Sequence, residues 1–521
     1  MLQTKIKKKY YLLVLLVFLP IQTKENNKKN NLETFKKIFD KANDAFLQKN
    51  FEKAIVFYKE AVEINKAASV YFNIGMAYYN LKNVTQAIKY FDKALEKNPN
   101  YYNAHHALGL IYSQQKNYNA AIKHLKQTIR LNKKDVDSYA HLGANFMALK
   151  QYEQAESYFK SAATKSPQNK ALVYNTAYAL KLQGKYQEAI PYYLKTIECD
   201  PEFEHANLGL AKSYLAIGDF YHGWPYFEWR FLNYKEHKSR YNYRHLTPQD
   251  LVGKIILLRA EWGLGDMIQF MRYIELVKNL ETTVYVQMHR PLHPLCKLCP
   301  YIDKVLAQNS KCPPFHLQIP IMSLPLIFKT TRETIPTNIP YLYADKNLVQ
   351  YWKEKLAHNK NFKVGICWHA KPIFLEDNPL TKRSVPLKDF AVLAQVNNVS
   401  FYSLQKIYGL KELETIPKGF KVHTFGPDFD DSHGRFMDTS AVIQNLDLVV
   451  TADTSIVHLA GALGKPVWIL IPYVPEWRWL QNIDTTPWYP NARLFRQSKP
   501  SDWTHVMLEV KKMLEKTIRK K

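Results

Sequence analysis

Cysteine is scarce in this chain: five residues in 521, an odd number spread along its length. No disulfide framework can hold a chain of this size on that supply. Glycine is sparse too, 17 residues against 27 prolines, which excludes collagen-like and glycine-rich sequence. Long hydrophobic runs are missing. The apolar stretch from Tyr10 to Ile21 falls short of the about 20 apolar residues that a bilayer-spanning helix needs. Arginine is the last shortage, supplying only 14 of the 72 basic residues although the net charge is +26. Proteins that read bases lean on arginine for bidentate contacts, and no basic stripe interleaved with aromatics accompanies the charge. Nucleic acid is therefore not expected as a partner. What is abundant is apolar and aromatic: 46% hydrophobic residues and 35 tyrosines, ample for several globular cores.

Lys5, Lys7, Lys8 and Lys9 precede the run from Tyr10 to Ile21. A cationic region before a short apolar one is the layout of a signal peptide. Ile21-Gln22-Thr23 offers no small-x-small cleavage pattern, and Lys24 to Asn31 reads as a polar linker. An uncleaved segment lying on an anionic membrane surface fits the same residues. Residues 1–31 are thus set apart as a signal-like or membrane-associating segment with a linker. Cleavage implies export; retention implies membrane association.

Self-similarity dominates the next two hundred residues. Ala54, Ala87, Ala121, Ala155, Ala189 and Gly223 recur at intervals of 33 or 34. Twelve positions before each stand Ala42, Gly75, Gly109, Gly143, Ala177 and Ala211, and four positions after each a large side chain: Tyr58, Phe91, Leu125, Phe159, Tyr193 and Phe227. Small residues where two helices cross, with a bulky knob one turn on, describe a helix–turn–helix unit. The period matches the tetratricopeptide repeat. Residues 32–235 are expected to form an α-solenoid of about six such repeats. Tyr71, Asn73, Tyr101, His105, Tyr139 and Asn175 are candidates for its concave face.

After a Trp-rich end to the sixth repeat (Gly223-Trp224-Pro225 to Trp229-Arg230) the pattern changes. Lys254 to Ala260 reads as a buried strand, Gly263-Leu264-Gly265-Asp266 as a tight turn, Met267 to Leu280 as a helix and Thr283 to Met288 as a second strand. That is a βαβ unit. It sets Asp266 at a helix N-terminus, above the strand ends where open α/β sheets bind ligands. A plain N-cap uses the same residue. His293, Cys296, Cys299, Cys312 and His316 invite a zinc reading, but Cys296 and Cys299 share an apolar stripe with Leu292 and Leu295 and are expected in the core.

A second α/β pattern starts near Lys363, with a strand to Trp368, a helix from Pro386 to Val396 and a strand from Val399 to Leu404. The strand Asp447 to Ala452 runs straight into Asp453-Thr454-Ser455 and a helix carrying His458. Free N–H groups at such a terminus favour an anion by about 0.3–1 kcal/mol per charge. His458 sits one turn after Thr454 and can face the same anion. Ala460, Gly461 and Ala462 are expected to let this helix lie close on the sheet. Asp428-Phe429-Asp430-Asp431 is expected to be a solvated acidic loop rather than a metal site.

Taken together, the segments Gly223 to Arg230, Gly263 to Phe270, Arg383 to Leu387, Asp453 to Pro466 and Trp477 to Pro490 resemble bacterial tetratricopeptide-repeat proteins with a C-terminal domain related to glycosyltransferase family nine, the heptosyltransferases. The resemblance implies a GT-B architecture of two Rossmann-like halves, here 245–350 and a nucleotide-sugar-binding half 351–521. It implies inverting, metal-independent transfer from a nucleotide-diphosphate sugar to a protein or glycan acceptor recruited by the repeats, with no cofactor beyond that donor. On the matching positions, Asp266 takes the role of general base, and Gly263 and Gly265 in its turn belong to the donor-binding residues. Arg383, Thr454, Ser455 and His458 face the donor phosphates, and Asp453 orients the turn. Trp262 and His369-Ala370-Lys371 depart from the family pattern. An active enzyme of this kind belongs in the cytoplasm or at the inner membrane. The alternative is a non-catalytic repeat scaffold whose transferase-like half is silent.

Overall fold

The computed structural model describes residues 27–231, 243, 245–308, 310–371 and 379–519. The signal-like run, with most of the segment 1–31, lies outside the described residues. Among those described, no helix is long and apolar enough to cross a membrane. By contacts the chain divides into two compact units, Met1–Ala179 and Leu180–Lys521.

Antiparallel helix pairs succeed one another from the start. They are α1 (Asn27–Leu47) with α2 (Phe51–Ile64), α3 (Ala68–Asn80) with α4 (Val84–Lys97), α5 (Tyr102–Gln114) with α6 (Tyr118–Leu131) and α7 (Val136–Ala148) with α8 (Tyr152–Lys165) in the first unit, and α11 (Glu204–Ile217) with the short α12 (Phe220–Phe227) in the second; α9 (Lys170–Leu182) and α10 (Tyr186–Cys199) come between them in sequence. The first helix begins at Asn27, inside the stretch expected to be linker. The knob-and-gap expectation holds. A Cβ on Gly75 would stand 2.6 Å from the Phe91 ring, and one on Gly109 or Gly143 2.7 Å from Leu125 or Phe159. Each turn within a pair needs one left-handed residue. Lys49, Lys82, Lys116 and Lys150 supply it with φ between 60° and 62°, and Gly184 and Gly218 do so in the turns before α10 and α12. The next residue then caps the second helix: Asn50, Asn83, Asn117 and Asp219 each accept from a backbone N–H of its first turn.

The division at 179/180 falls earlier than the boundary near 235 that the repeat pattern suggests, because the last repeat helices pack into the α/β region. Tyr186, Ala211, Leu215, Phe220, Trp224 and Phe227 belong to one buried cluster with the α/β residues Phe270, Met271, Trp477 and Trp488. Trp224 Nε1 donates to Thr330 O (2.9 Å), and its ring meets Trp477 edge-on at 5.7 Å. Arg230 is clamped by Glu228 (2.7 Å), Glu261 (2.8 and 3.1 Å) and Ser323 (2.7 Å).

The α/β region holds two wholly parallel sheets. The first has the order β3-β2-β1-β4 and the second β10-β9-β8-β5-β6-β7. The first comprises β1 (Ile255–Arg259), β2 (Thr283–Met288), β3 (Lys304–Ala307) and β4 (Leu317–Pro320); the second β5 (Phe362–Cys367), β6 (Val399–Ser403), β7 (Val422–His423), β8 (Leu448–Ala452), β9 (Val467–Ile471) and β10 (Ala492–Arg496). Continuous apolar runs such as Ile255–Leu258 and Val467–Ile471 form central strands because helices or loops cover both faces.

Two helices differ from expectation. The span 267–280 breaks at Met271 into α13 (Leu264–Phe270) and α14 (Arg272–Lys278), where Arg272 Nε takes the Gln269 carbonyl (2.9 Å). Leu387–Gln395 is a 3-10 helix, and its buried residues Leu387, Phe390 and Leu393 repeat every third position, as three residues per turn requires. Gly461 serves Tyr489 rather than the sheet: a Cβ there would stand 2.3 Å from the Tyr489 ring. Asp430 is not solvated. It is buried and accepts from Thr439 N (2.9 Å) and Thr439 Oγ1 (2.5 Å) at the first turn of α16 (Met437–Asn445); α15 is Lys346–Leu356.

Candidate functional site

The strand ends β1 and β8 deliver two helices, α13 and α17 (Ser455–Ala462), whose first turns meet. Gly265 makes the meeting possible. A Cβ there would stand 3.0 Å from His458 Cδ2 and 3.4 Å from Ser455 Cα. Asp266, Gly263, Gly265, Thr454, Ser455 and His458, read from two separate stretches of sequence, are thus brought together where α13 meets α17.

Asp266 stands at the third position of α13, not at its N-cap. Gly263 is the N-cap, and its N–H donates to Asp266 Oδ2 (3.0 Å). The other carboxylate oxygen is ion-paired with Arg478. Arg478 is buried with each of its three nitrogens bonded: besides the Asp266 contact, Nε donates to Gln269 Oε1 (2.5 Å) and Nη1 to Glu476 Oε2 (2.8 Å), while its carbon centre lies 4.6 Å from the Trp477 ring centre. Arg478, the partner of Asp266, is the candidate-site residue that sequence reasoning missed. The Trp477-Arg478-Trp479 run signals aromatic packing, and the partner lies on a distant segment.

On the other side Thr454 caps α17. Its hydroxyl accepts from Ile456 N (3.2 Å) and lies 3.2 Å from Thr451 Oγ1. Asp453 is buried, and burial pushes its carboxyl above the usual carboxylate range against the pull of Arg383. Arg383 reaches this region from the stretch after the 372–378 segment, held by Val385 N to Trp368 O (2.8 Å); its Nε is buried without a hydrogen-bond partner among the described residues. His458 Nδ1 is 2.9 Å from Tyr489 Oη, and its ring stacks on Trp479 at 5.6 Å. Burial first, then Arg478, Arg272 and Arg383, hold the imidazole far below its ordinary pKa, so it is neutral. Two carboxylates, two guanidiniums and a neutral imidazole therefore surround a helix start, a setting suited to an anion and to an oxygen acid or base nearby.

Cys296, Cys299 and Cys312 sit apart, whereas Cys367 Sγ lies 3.7 Å from Thr454 Oγ1. Cys296 and Cys299 are buried in the apolar core, where burial pushes both thiols up, Cys299 to about 11. His316 Nδ1 accepts from Ile255 N (2.8 Å) and His293 Nε2 lies 3.0 Å from Met288 O, so the histidines serve the backbone.

The first unit carries a second candidate surface. Rings repeat along it in threes, all half-buried except the buried Phe146: Tyr71, Tyr78 and Tyr90; His105, Tyr112 and His124; Tyr139, Phe146 and Tyr158. Tyr78 stacks on Tyr90 at 5.5 Å, Tyr112 on His124 at 5.7 Å and Phe146 on Tyr158 at 5.3 Å. Lys93 lies over Tyr90 (5.1 Å), Lys126 over Phe146 (5.5 Å) and Lys165 over Tyr139 (5.1 Å). Tyr71, His105 and Tyr139 are among the residues expected on the concave face.

Comparison with known proteins agrees with the repeats. Family models described as tetratricopeptide repeat match residues 68–101, 90–123 and 142–204. Protein FlbA of Caulobacter vibrioides is 22% identical over 374 residues, covering 67% of this chain and 62% of FlbA. The chain thus spans less than two thirds of that relative. A TPR repeat-containing thioredoxin, TTL4, of Arabidopsis thaliana is 36% identical over 61 residues, 12% of this chain and 9% of TTL4. Among solved structures, YrrB, titled a TPR protein with an unusual peptide-binding site, is 22% identical with a TM-score of 0.31, over 35% of this chain and 96% of YrrB. MamA is 21% identical with a TM-score of 0.30, over 32% of this chain and 92% of MamA. The chain is a helical tetratricopeptide-repeat solenoid in its first part, followed by an α/β region with parallel sheets.

Proposed function

We propose that the chain is a glycosyltransferase of GT-B type that moves a sugar from a nucleotide-diphosphate donor to a protein or glycan recruited by the repeats. The observation that carries the proposal is the meeting of α13 and α17, which sets Asp266 beside a helix start flanked by Arg383, Arg478 and neutral His458. In this reading the acceptor hydroxyl attacks the anomeric carbon while Asp266 takes its proton. The carbon–oxygen bond to the diphosphate breaks with inversion, and the negative charge left on the diphosphate is met by the α17 N–H groups, Arg383 and His458. General-base help of this kind contributes about 10²–10⁴-fold. No metal or cofactor is assigned a step. Arg478 orients Asp266 by holding one carboxylate oxygen while Gly263 N–H holds the other. Repeats of this class are protein-binding modules, and the ring-and-lysine triads of the first unit supply contact surface for an acceptor.

A thermal-shift panel of ADP, UDP, GDP, dTDP and their sugar conjugates tests this. A ligand at 100 times its dissociation constant adds about 2.7 kcal/mol. One nucleotide should stabilise the wild type, Arg383→Ala should lose the shift, and Asp266→Ala should keep it but lose sugar transfer. A flat panel across all bases speaks for the repeat scaffold with a silent α/β region.

A further inference from the structure

Behind His458 runs a file of buried polar groups that ends on a guanidinium. Arg272, on α14, donates to Trp488 O (2.7 Å), Pro336 O (3.1 Å) and Gln269 O (2.9 Å), and through Nη2 to Tyr341 Oη (3.1 Å). Tyr341 Oη is 3.4 Å from Tyr489 Oη, which in turn is 2.9 Å from His458 Nδ1. Tyr341 and Tyr489 are each 1% exposed and His458 5%, so water does not rescue an unmade bond along the file. Gly461 keeps the Tyr489 ring flat against α17, since any Cβ there would collide with it.

The direction of these bonds is dictated by the cation. A guanidinium only donates, and a phenol has a single proton to give. Tyr341 therefore accepts from Arg272 and turns its own proton to Tyr489. Tyr489 accepts that proton and gives its own to the one acceptor left, His458 Nδ1. The reverse direction, with a proton on Nδ1, leaves the Tyr341 proton pointing at Arg272 with no acceptor, and a buried orphaned donor is disfavoured. The His458 edge bearing Nε2 faces Gly265, where a Cβ would stand 3.7 Å from Nε2, and Nε2 has no hydrogen-bond partner among the described residues.

We propose that Tyr341 and Tyr489, directed by Arg272, lock His458 in the Nε2–H tautomer, so that the imidazole is a neutral hydrogen-bond donor to a phosphate-bearing ligand at the start of α17 and cannot act there as a base. The ligand clause rests on the donor-site reading above; the tautomer does not. Tyr489 and Tyr341 are positioning residues, acting through His458. The charged groups facing the imidazole are Arg478, Arg272 and Arg383, and all three oppose its protonation.

The test is long-range ¹H–¹⁵N spectroscopy of the full chain labelled at histidine, with the His458 signals assigned by their loss in His458→Gln. The wild type should show a pyridine-like Nδ1 and a pyrrole-like Nε2, with no change to imidazolium on mild acidification. Tyr489→Phe, which keeps the ring and removes the hydroxyl, should give a mixture of both tautomers, and Tyr341→Phe should blur the lock in the same direction if Tyr489→Phe fails to fold. A wild-type Nδ1–H, an imidazolium, or a pure Nε2–H signal persisting in both variants overturns the lock. Inorganic pyrophosphate separates the two claims. It should bind the wild type about tenfold more tightly than Tyr489→Phe, and a locked tautomer with no pyrophosphate binding overturns the ligand clause and the donor site while the lock stands.

Discussion

Four of the repeat turns ask a lysine to do what glycine does at no steric cost. Lys116 holds φ at 61°, while Gly184 and Gly218 fill the equivalent place two and three repeats later. A left-handed residue with a Cβ is disfavoured by about 1–2 kcal/mol, and glycine gives back about half of that in unfolded-chain entropy. Lys116→Gly should therefore raise stability by about 0.5–1 kcal/mol in urea denaturation, and Lys116→Ala should not. Arg230 presents the opposite case. Its guanidinium neutralises Glu228 and Glu261, and all three side chains are almost wholly buried. Arg230→Ala leaves two carboxylates buried without their cation, a loss of about 3–5 kcal/mol on the scale of broken buried pairs. The same measurement checks it. Neither role was visible in the sequence. A Lys–Asn pair looks like an ordinary polar turn, and the acid partner Glu261 stands on another segment, some thirty positions along the chain.

At the scale of elements, the first unit has an acid-sensitive point. His124 and His141 are held down to about 4, by burial first, with His105 and Lys123 adding to it at His124 and His106 at His141. Unfolded, both titrate at the ordinary histidine value, so between about pH 6.5 and 4 the unfolded chain binds more protons than the folded one. Stability is present above that window and is lost as pH falls through it. Tyr stands at the position of His124 in the neighbouring repeats, as Tyr90 and Tyr158. His124→Tyr should keep the stack on Tyr112 and lessen the drop in melting temperature between neutral pH and pH 5, which calorimetry reads directly. The elements themselves were the most legible part of the chain. The period of 34 and the continuous apolar strands state their own geometry, and the strands at 283–288 and 467–471 fall where the pattern puts them. The failures have causes the pattern does not carry. The helix after Gly265 breaks because the Arg272 side chain takes a backbone carbonyl, and 387–395 winds as a 3-10 helix because its apolar residues recur at three rather than 3.6.

For the molecule as a whole, sequence motifs identified the two helix starts but not what joins them. Asp266 and His458 were each legible from a strand–turn–helix pattern; Arg478, Tyr489 and Arg272, which link the two, come from segments far apart in the chain and are visible only once the sheets are folded. The same long-range packing sets the edge of the second unit. Phe220, Trp224 and Phe227 lie on a repeat helix, yet Phe220 and Trp488 rings are 5.9 Å apart and Trp224 and Phe270 rings 6.3 Å apart. Each buried side chain of this size contributes about 1.5–3 kcal/mol, and removing the helix also strips Arg230 and Glu228 from Glu261. A fragment of residues 180–521 should therefore unfold in a single cooperative near-UV transition. A fragment of residues 245–521, which a boundary drawn from the repeat pattern recommends, should expose the Trp477 and Trp488 faces, bind a hydrophobic dye and lose that transition. Equal cooperativity in the two fragments would mean that the last repeat is an addition to the α/β region rather than part of its core.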